Sequence, residues 1–151
     1  MAVSKAEIER RMERFVEACR QNGMKVTHQR MEVFRELAGT EEHPDAETLY
    51  QSVSERVPAI SRDTVYRTLA SLEGQGLVRK AEILFSKARY DANMGRHHHF
   101  VCTECGRVRD FCSETLNELP IPRAVTSLGR VVSTHVQLRG ICLVCARRGH
   151  S

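Results

Sequence analysis

Apolar residues recur along the first half of this chain at the spacing of one helix face. Ile8, Met12, Phe15, Val16 and Cys19 form one such stripe. Ser4 with Glu7 three residues later predicts its start, as a capping box. Asn22-Gly23 predicts its end. A second helix is expected from Thr27, with Met31, Phe34, Leu37 and Ala38 inward and Gly39 as its stop. Asp45 caps a third, whose apolar positions are Ala46, Leu49, Tyr50 and Val53, before Pro58. Ser61 caps a fourth, Arg62 to about Glu73, with Val65, Leu69 and Leu72 buried. Gly74-Gln75-Gly76 ends it, and two strands are expected at 77–84 and 87–91.

Beyond Ala92-Asn93-Met94-Gly95, which reads as a linker, the pattern changes to alternation. His97–Thr103 and Arg107–Phe111 predict a hairpin around a Cys102–Gly106 knuckle. Pro120 and Pro122 restrict any helix between Leu116 and Gly129 to a short one starting near Pro122. Val131–Gly140 predicts a further strand. The expected architecture is α+β: a winged helix-turn-helix domain over 1–91, a hinge at 92–96, and a small α+β domain with an antiparallel sheet over 97–151.

The helix-turn-helix pair would be Asp45–Val57 and Arg62–Glu73. The outward face of the latter begins with Arg62, Tyr66, Arg67 and Thr68. Arginine can grip guanine edges or phosphate, and an aromatic edge can pack on thymine methyls. Net charge adds little. The formal charge is +4, and the excess falls in the second half rather than in the helical one. The nucleic-acid reading therefore rests on local pattern. No apolar run approaches the ~20 residues of a membrane span, and the N-terminus is charged. A cytoplasmic, membrane-free protein is expected, in which six cysteines point to metal rather than disulfides.

Cys102-x-x-Cys105 and Cys142-x-x-Cys145 supply four thiolates, the donor set of a closed structural Zn²⁺ site. Such a staple would stabilise a domain too small to have much core. Cys19 lies on the first helix's apolar stripe and reads as core; Cys112 reads as core or as a partly exposed thiol. His97 and His99 share a strand face, a hairpin brings Asp110 roughly opposite His99, and Asp91 can fold back from the linker. Imidazole with carboxylate suits Fe²⁺, Mn²⁺ or Zn²⁺. Spacing gives His43 no special standing: alone, it is a loop histidine beside Pro44. No nucleophile–base pair exists apart from these ligands, so an enzyme is not expected.

Taken together, the motifs Lys25-Val26-Thr27 with Gln29-Arg30, His43-Pro44-Asp45-Ala46-Glu47, Asp63-Thr64-Val65-Tyr66-Arg67-Thr68-Leu69, His97 through Gly106, and Gly140 through Cys145 resemble the ferric uptake regulator family. Within it, they are most similar to the peroxide-responsive repressors. The resemblance implies a homodimeric, winged-helix, metal-dependent repressor of a near-palindromic double-stranded operator. It implies a regulatory Fe²⁺ or Mn²⁺ site made of His43, Asp91, His97, His99 and Asp110, and makes Lys25 a DNA contact beside Arg62, Tyr66 and Arg67. Aspartate at 91 and 110, where iron-uptake regulators carry glutamate, favours peroxide sensing through iron-driven oxidation of His43 or His97. The alternative is a regulator answering to iron or zinc availability. Two departures stand out. The family's H-x-D-H reads His97-His98-His99, and His135 is one residue away from a further-site histidine, so no third metal site is expected. The family's dimerisation helix is also longer than Pro120–Gly129 allows.

Overall fold

The computed structural model describes residues 3–82 and 88–149. The chain divides into two compact units, Met1–Met94 and Gly95–Ser151.

The first unit contains α1 (Lys5–Gln21), α2 (His28–Ala38), α3 (Ala46–Arg56), α4 (Arg62–Gly74), β1 (Arg79–Glu82) and β2 (Ala88–Asp91). Each helix starts where a side-chain oxygen accepts a backbone N–H three residues on: Ser4 from Glu7, Thr27 from Arg30, Asp45 from Thr48 and Ser61 from Thr64. The capping box is only half formed. The Glu7 carboxylate takes Arg10 and Arg11, and Arg11 in turn donates to Ala38 O at 3.0 Å in the interior. The apolar stripes meet as expected. Phe15 stacks on Phe34 with centroids 4.8 Å apart, and Cys19, Leu37, Leu49, Val53, Val65, Leu69 and Leu72 fill the surrounding core. β1 and β2 form an antiparallel pair, from Arg79↔Asp91 to Glu82↔Ala88. β1 starts two residues later than expected, because Gly76 turns at φ +71° and Leu77 N–H closes onto Leu72 O. Of the expected strands, residues 83, 84 and 87 lie outside the described residues. Four helices and a two-stranded wing make this unit a winged helix-turn-helix.

The second unit contains β3 (His98–Cys102), β4 (Val108–Phe111), α5 (Glu114–Asn117), α6 (Arg123–Thr126), β5 (Gln137–Gly140) and α7 (Leu143–Arg148). β3 and β4 are antiparallel, but β5 joins the other edge of β3 in parallel, from His99↔Gln137 to Cys102↔Gly140. The sheet is thus mixed rather than wholly antiparallel. The strand expected over Val131–Gly140 is confined to its last four residues. β3 begins only at His98, so residues 131–136 have no ladder to join, apart from Val136 O accepting His99 N–H. α6 is the short helix expected after Pro122. α5 and α7 were not expected; their only local signals are the caps Ser113 and Cys142. Among the described residues, no helix is long and apolar enough to cross a membrane.

Candidate functional site

Three constellations carry chemistry. The first is the cysteine cluster. Cys102 ends β3, and the chain turns back through Gly106 at φ +73°, a conformation glycine adopts without strain, with Gly106 N–H on Cys102 O. The β3–β5 pairing lays Gly140 beside Cys102 and so delivers Cys142, the N-cap of α7, and Cys145 to the same knuckle. The four sulfurs lie within 4.8 Å of one another, and all are free thiols. Backbone N–H groups already point at them: Cys142 N donates to Cys102 Sγ at 3.3 Å and Cys145 N to Cys142 Sγ at 3.5 Å. The backbone N–H groups of Cys105 and Cys142 hold the Cys102 thiol down to about 6. Sharing a proton with Cys142 pushes Cys145 up to about 12. Four thiolates this close repel one another, and a dication that accepts all four removes the conflict. The set fits a tetrahedral, sulfur-bound metal.

The second constellation consists of nitrogen and oxygen donors, present on each unit. In the first unit, Tyr90 N–H donates to Pro44 O, and Asp45 bridges Arg89, so the 40–45 loop is laid along β2. That brings the buried His43 to the buried Asp91, with Nδ1 3.7 Å from Oδ1. His43 has φ +49°, the left-handed region that a non-glycine residue enters only under constraint. Asp91 also accepts Asn93 N–H at 2.8 Å. In the second unit His99 pairs in register with Asp110, its Nε2 3.3 Å from the carboxylate. His97 Nε2 stands 3.7 Å from the same carboxylate, and the two rings meet edge-on at 4.9 Å. His97 Nδ1 lies 2.6 Å from Gly95 O. A carbonyl only accepts, so Nδ1 carries a proton and Nε2 is the nitrogen turned toward Asp110. A carbonyl behind one nitrogen, with the other aimed at a carboxylate, is the backing of a metal-ligating imidazole. His98 points away from this group, to Asn117 and Val136.

The third constellation is the exposed side of α4. Tyr66 is about half exposed, and Arg67 reaches outward, pairing with exposed Asp63 at 2.9 Å. Arg62 is differently placed. Its guanidinium lies 4.5 Å over the Tyr50 ring and bonds both oxygens of Glu47, which raises its pKa further. Lys25 is exposed, and its carbonyl accepts Arg30 Nη1 at 2.7 Å. Arg30 and Gln29 join Thr64, Thr68 and Arg67 around a polar groove of about 270 Å³. Periodicity gave no reason to add Arg30 and Thr64 to this face; they meet there around the same groove as Thr27, the N-cap of α2.

The ferric uptake regulator family matches this chain over residues 21–138. The peroxide-responsive repressor of Staphylococcus aureus is 33% identical over 96% of this chain and 98% of its own length. Among solved structures, a zinc-bound manganese uptake regulator is similar with a TM-score of 0.67 and 31% identity, over 84% of this chain and 97% of that one. The Campylobacter jejuni peroxide stress regulator is similar with a TM-score of 0.66 and 30% identity, over 86% and 98% of the two chains.

Proposed function

This chain belongs to the ferric uptake regulator family of metal-responsive transcriptional repressors, and on that premise we propose that it represses its target genes until peroxide oxidises one of its metal-binding histidines. Cys102, Cys105, Cys142 and Cys145 hold a structural Zn²⁺. His43, Asp91, His97, His99 and Asp110 together hold Fe²⁺ or Mn²⁺; three imidazoles and two carboxylates form a set too hard for soft metals. The observation that carries this reading is that each compact unit presents a buried or half-buried histidine next to a carboxylate: His43 with Asp91, and His97 and His99 with Asp110. When the two groups share one cation, the DNA-binding unit is tied to the other unit. Metal and operator then raise each other's affinity by the same factor.

DNA binding falls to α4, with Tyr66 and Arg67 outermost, and Lys25 beside it. Large apolar side chains exposed in the second unit, among them Leu128, Val132 and Leu143, support self-association there. A symmetric dimer reads two half-sites about one DNA turn apart, hence a near-palindromic operator. Fe²⁺ held there would supply the electron that cleaves the peroxide O–O bond, which Mn²⁺ does not readily do; overall, one peroxide oxygen would enter an imidazole and the other would leave as water. His43 and His97 are the imidazoles expected to gain oxygen. An oxidised ring is a weak ligand, so the tie between the units is lost and DNA is released.

Operator binding should be measured with Fe²⁺ and with Mn²⁺, before and after peroxide, with mass spectrometry of the histidine peptides. Release of the iron form alone, with one oxygen added at His43 or His97, supports the reading. An iron form that keeps its operator with unmodified histidines would make the protein a metal-availability regulator, the reading favoured by its likeness to the manganese uptake regulator.

A further inference from the structure

His98 stands between two histidines assigned to metal, yet its ring meets Phe111, Asn117 and Val136 on the other face of β3. It is buried to 1% exposure, and its ring packs against Phe111 with centroids 5.7 Å apart. Val136 N–H donates to His98 Nδ1 at 3.3 Å. A backbone N–H can only donate, so Nδ1 offers its lone pair and Nε2 carries the proton. Nε2 lies 2.8 Å from Asn117 Oδ1, an acceptor. The imidazole is therefore neutral with both nitrogens engaged, and neither is available to a cation. Val136 is held twice, since its carbonyl also accepts His99 N–H at 3.2 Å.

Asn117 and Val136 bracket residues 118–135, the segment that contains α6 and the exposed Leu119, Ile121, Leu128 and Val132. We propose that His98 is a positioning residue. Its ring ties both ends of that segment to the back of β3 and so fixes the strand whose front face presents His99 and whose start adjoins His97. The proposal rests on the reading that those two histidines bind the regulatory metal. It makes the apolar surface offered to a second copy part of the scaffold of the metal ligands, because both are anchored on one five-residue strand. It also assigns the middle histidine of the triplet a role that excludes coordination.

The test uses His98→Phe, which keeps the ring packing but neither hydrogen bond, His98→Gln, which retains one donor and one acceptor, and Asn117→Ala, which removes one partner from outside the strand. All are compared as zinc-loaded full-length protein. Losing the staple should speed hydrogen exchange of the His99 and Val136 amides by about tenfold in His98→Phe, with His98→Gln nearer to wild type. Mn²⁺ affinity, by calorimetry, should fall about tenfold in His98→Phe and less in Asn117→Ala, with unchanged stoichiometry for both metals. Unchanged exchange and affinity in His98→Phe and Asn117→Ala would overturn the proposal. So would the loss of one metal equivalent in His98→Phe, which would make His98 a ligand. A wild type that takes up no Mn²⁺ would count against the proposed function instead, and the exchange data would still decide the role of His98.

Discussion

Glu47 receives the Arg62 guanidinium on both carboxylate oxygens, at 3.1 to 3.2 Å, across the turn that joins α3 to α4. Tyr50, one turn further along α3, supports the same guanidinium from below. Arg62, which the start of α4 offers as a DNA contact, thus bonds Glu47 through Nε and Nη2 while its side chain stays exposed. Arg62→Ala and Glu47→Ala should weaken operator binding by similar factors, and the double variant should be little worse than either alone. Arg67→Ala should behave differently. It should cost roughly 1–3 kcal/mol of operator affinity and act independently of Glu47, because Arg67 faces solvent. Fluorescence anisotropy over the mutant cycle checks both; additive Arg62 and Glu47 effects would return Arg62 to the DNA.

Cys102→Ser should lose zinc and leave the second unit unfolded or monomeric. β3, β4 and β5 each have only four or five residues, too few to hold that unit without its metal. Zinc analysis and sedimentation velocity provide the measurement. A zinc-free variant that sediments as the wild type would contradict the structural role.

His43→Ala should keep zinc, fold and dimer, since His43 is far in sequence from the cysteines and belongs to the other compact unit. Relief of the left-handed backbone is not expected from alanine, which has its own Cβ. Mn²⁺-dependent operator binding should fall to the level of the metal-depleted wild type. Retained metal dependence in a gel-shift titration would remove His43 from the ligand set.

Glu7 is expected to give the first unit a pH-dependent contribution. Hydrogen bonds from Arg10 and Arg11 hold its carboxyl below the usual 4.5. A depressed carboxyl pKa adds stability that is complete above the unfolded value and disappears as pH falls through the folded one. Glu7→Gln should cost about 1–2 kcal/mol near neutral pH, chiefly because buried Arg11 loses its ion partner. The difference from wild type should shrink below about pH 4.5. Urea midpoints at pH 7 and pH 4 test this; an equal difference at both would mean that Glu7 acts through packing alone.

What the sequence determined by itself was whatever is decided within a few residues. Ser4, Thr27, Asp45 and Ser61 each cap a helix by reaching an N–H only three residues away. Both C-x-x-C pairs announce a metal knuckle because their spacing alone sets the bite of two thiolates. Alternation put His97, just before β3, and His99, within it, on the same side, and a tight hairpin put Asp110 across from His99. Only the tertiary structure decided the rest, because those contacts join parts of the chain that share no local signal. His43 meets Asp91 because its loop is laid along β2 and its backbone is held at a positive φ. The parallel β3–β5 pairing truncated the strand expected at Val131 and delivered the second cysteine pair to the first. Arg62 stays exposed, yet lies over Tyr50 and bonds Glu47, both distant in sequence. His98 became a staple because Asn117 and Val136 reached the back of its strand first. Each of these depends on which polar groups meet once the apolar stripes have packed, and hydrophobic periodicity carries no record of that.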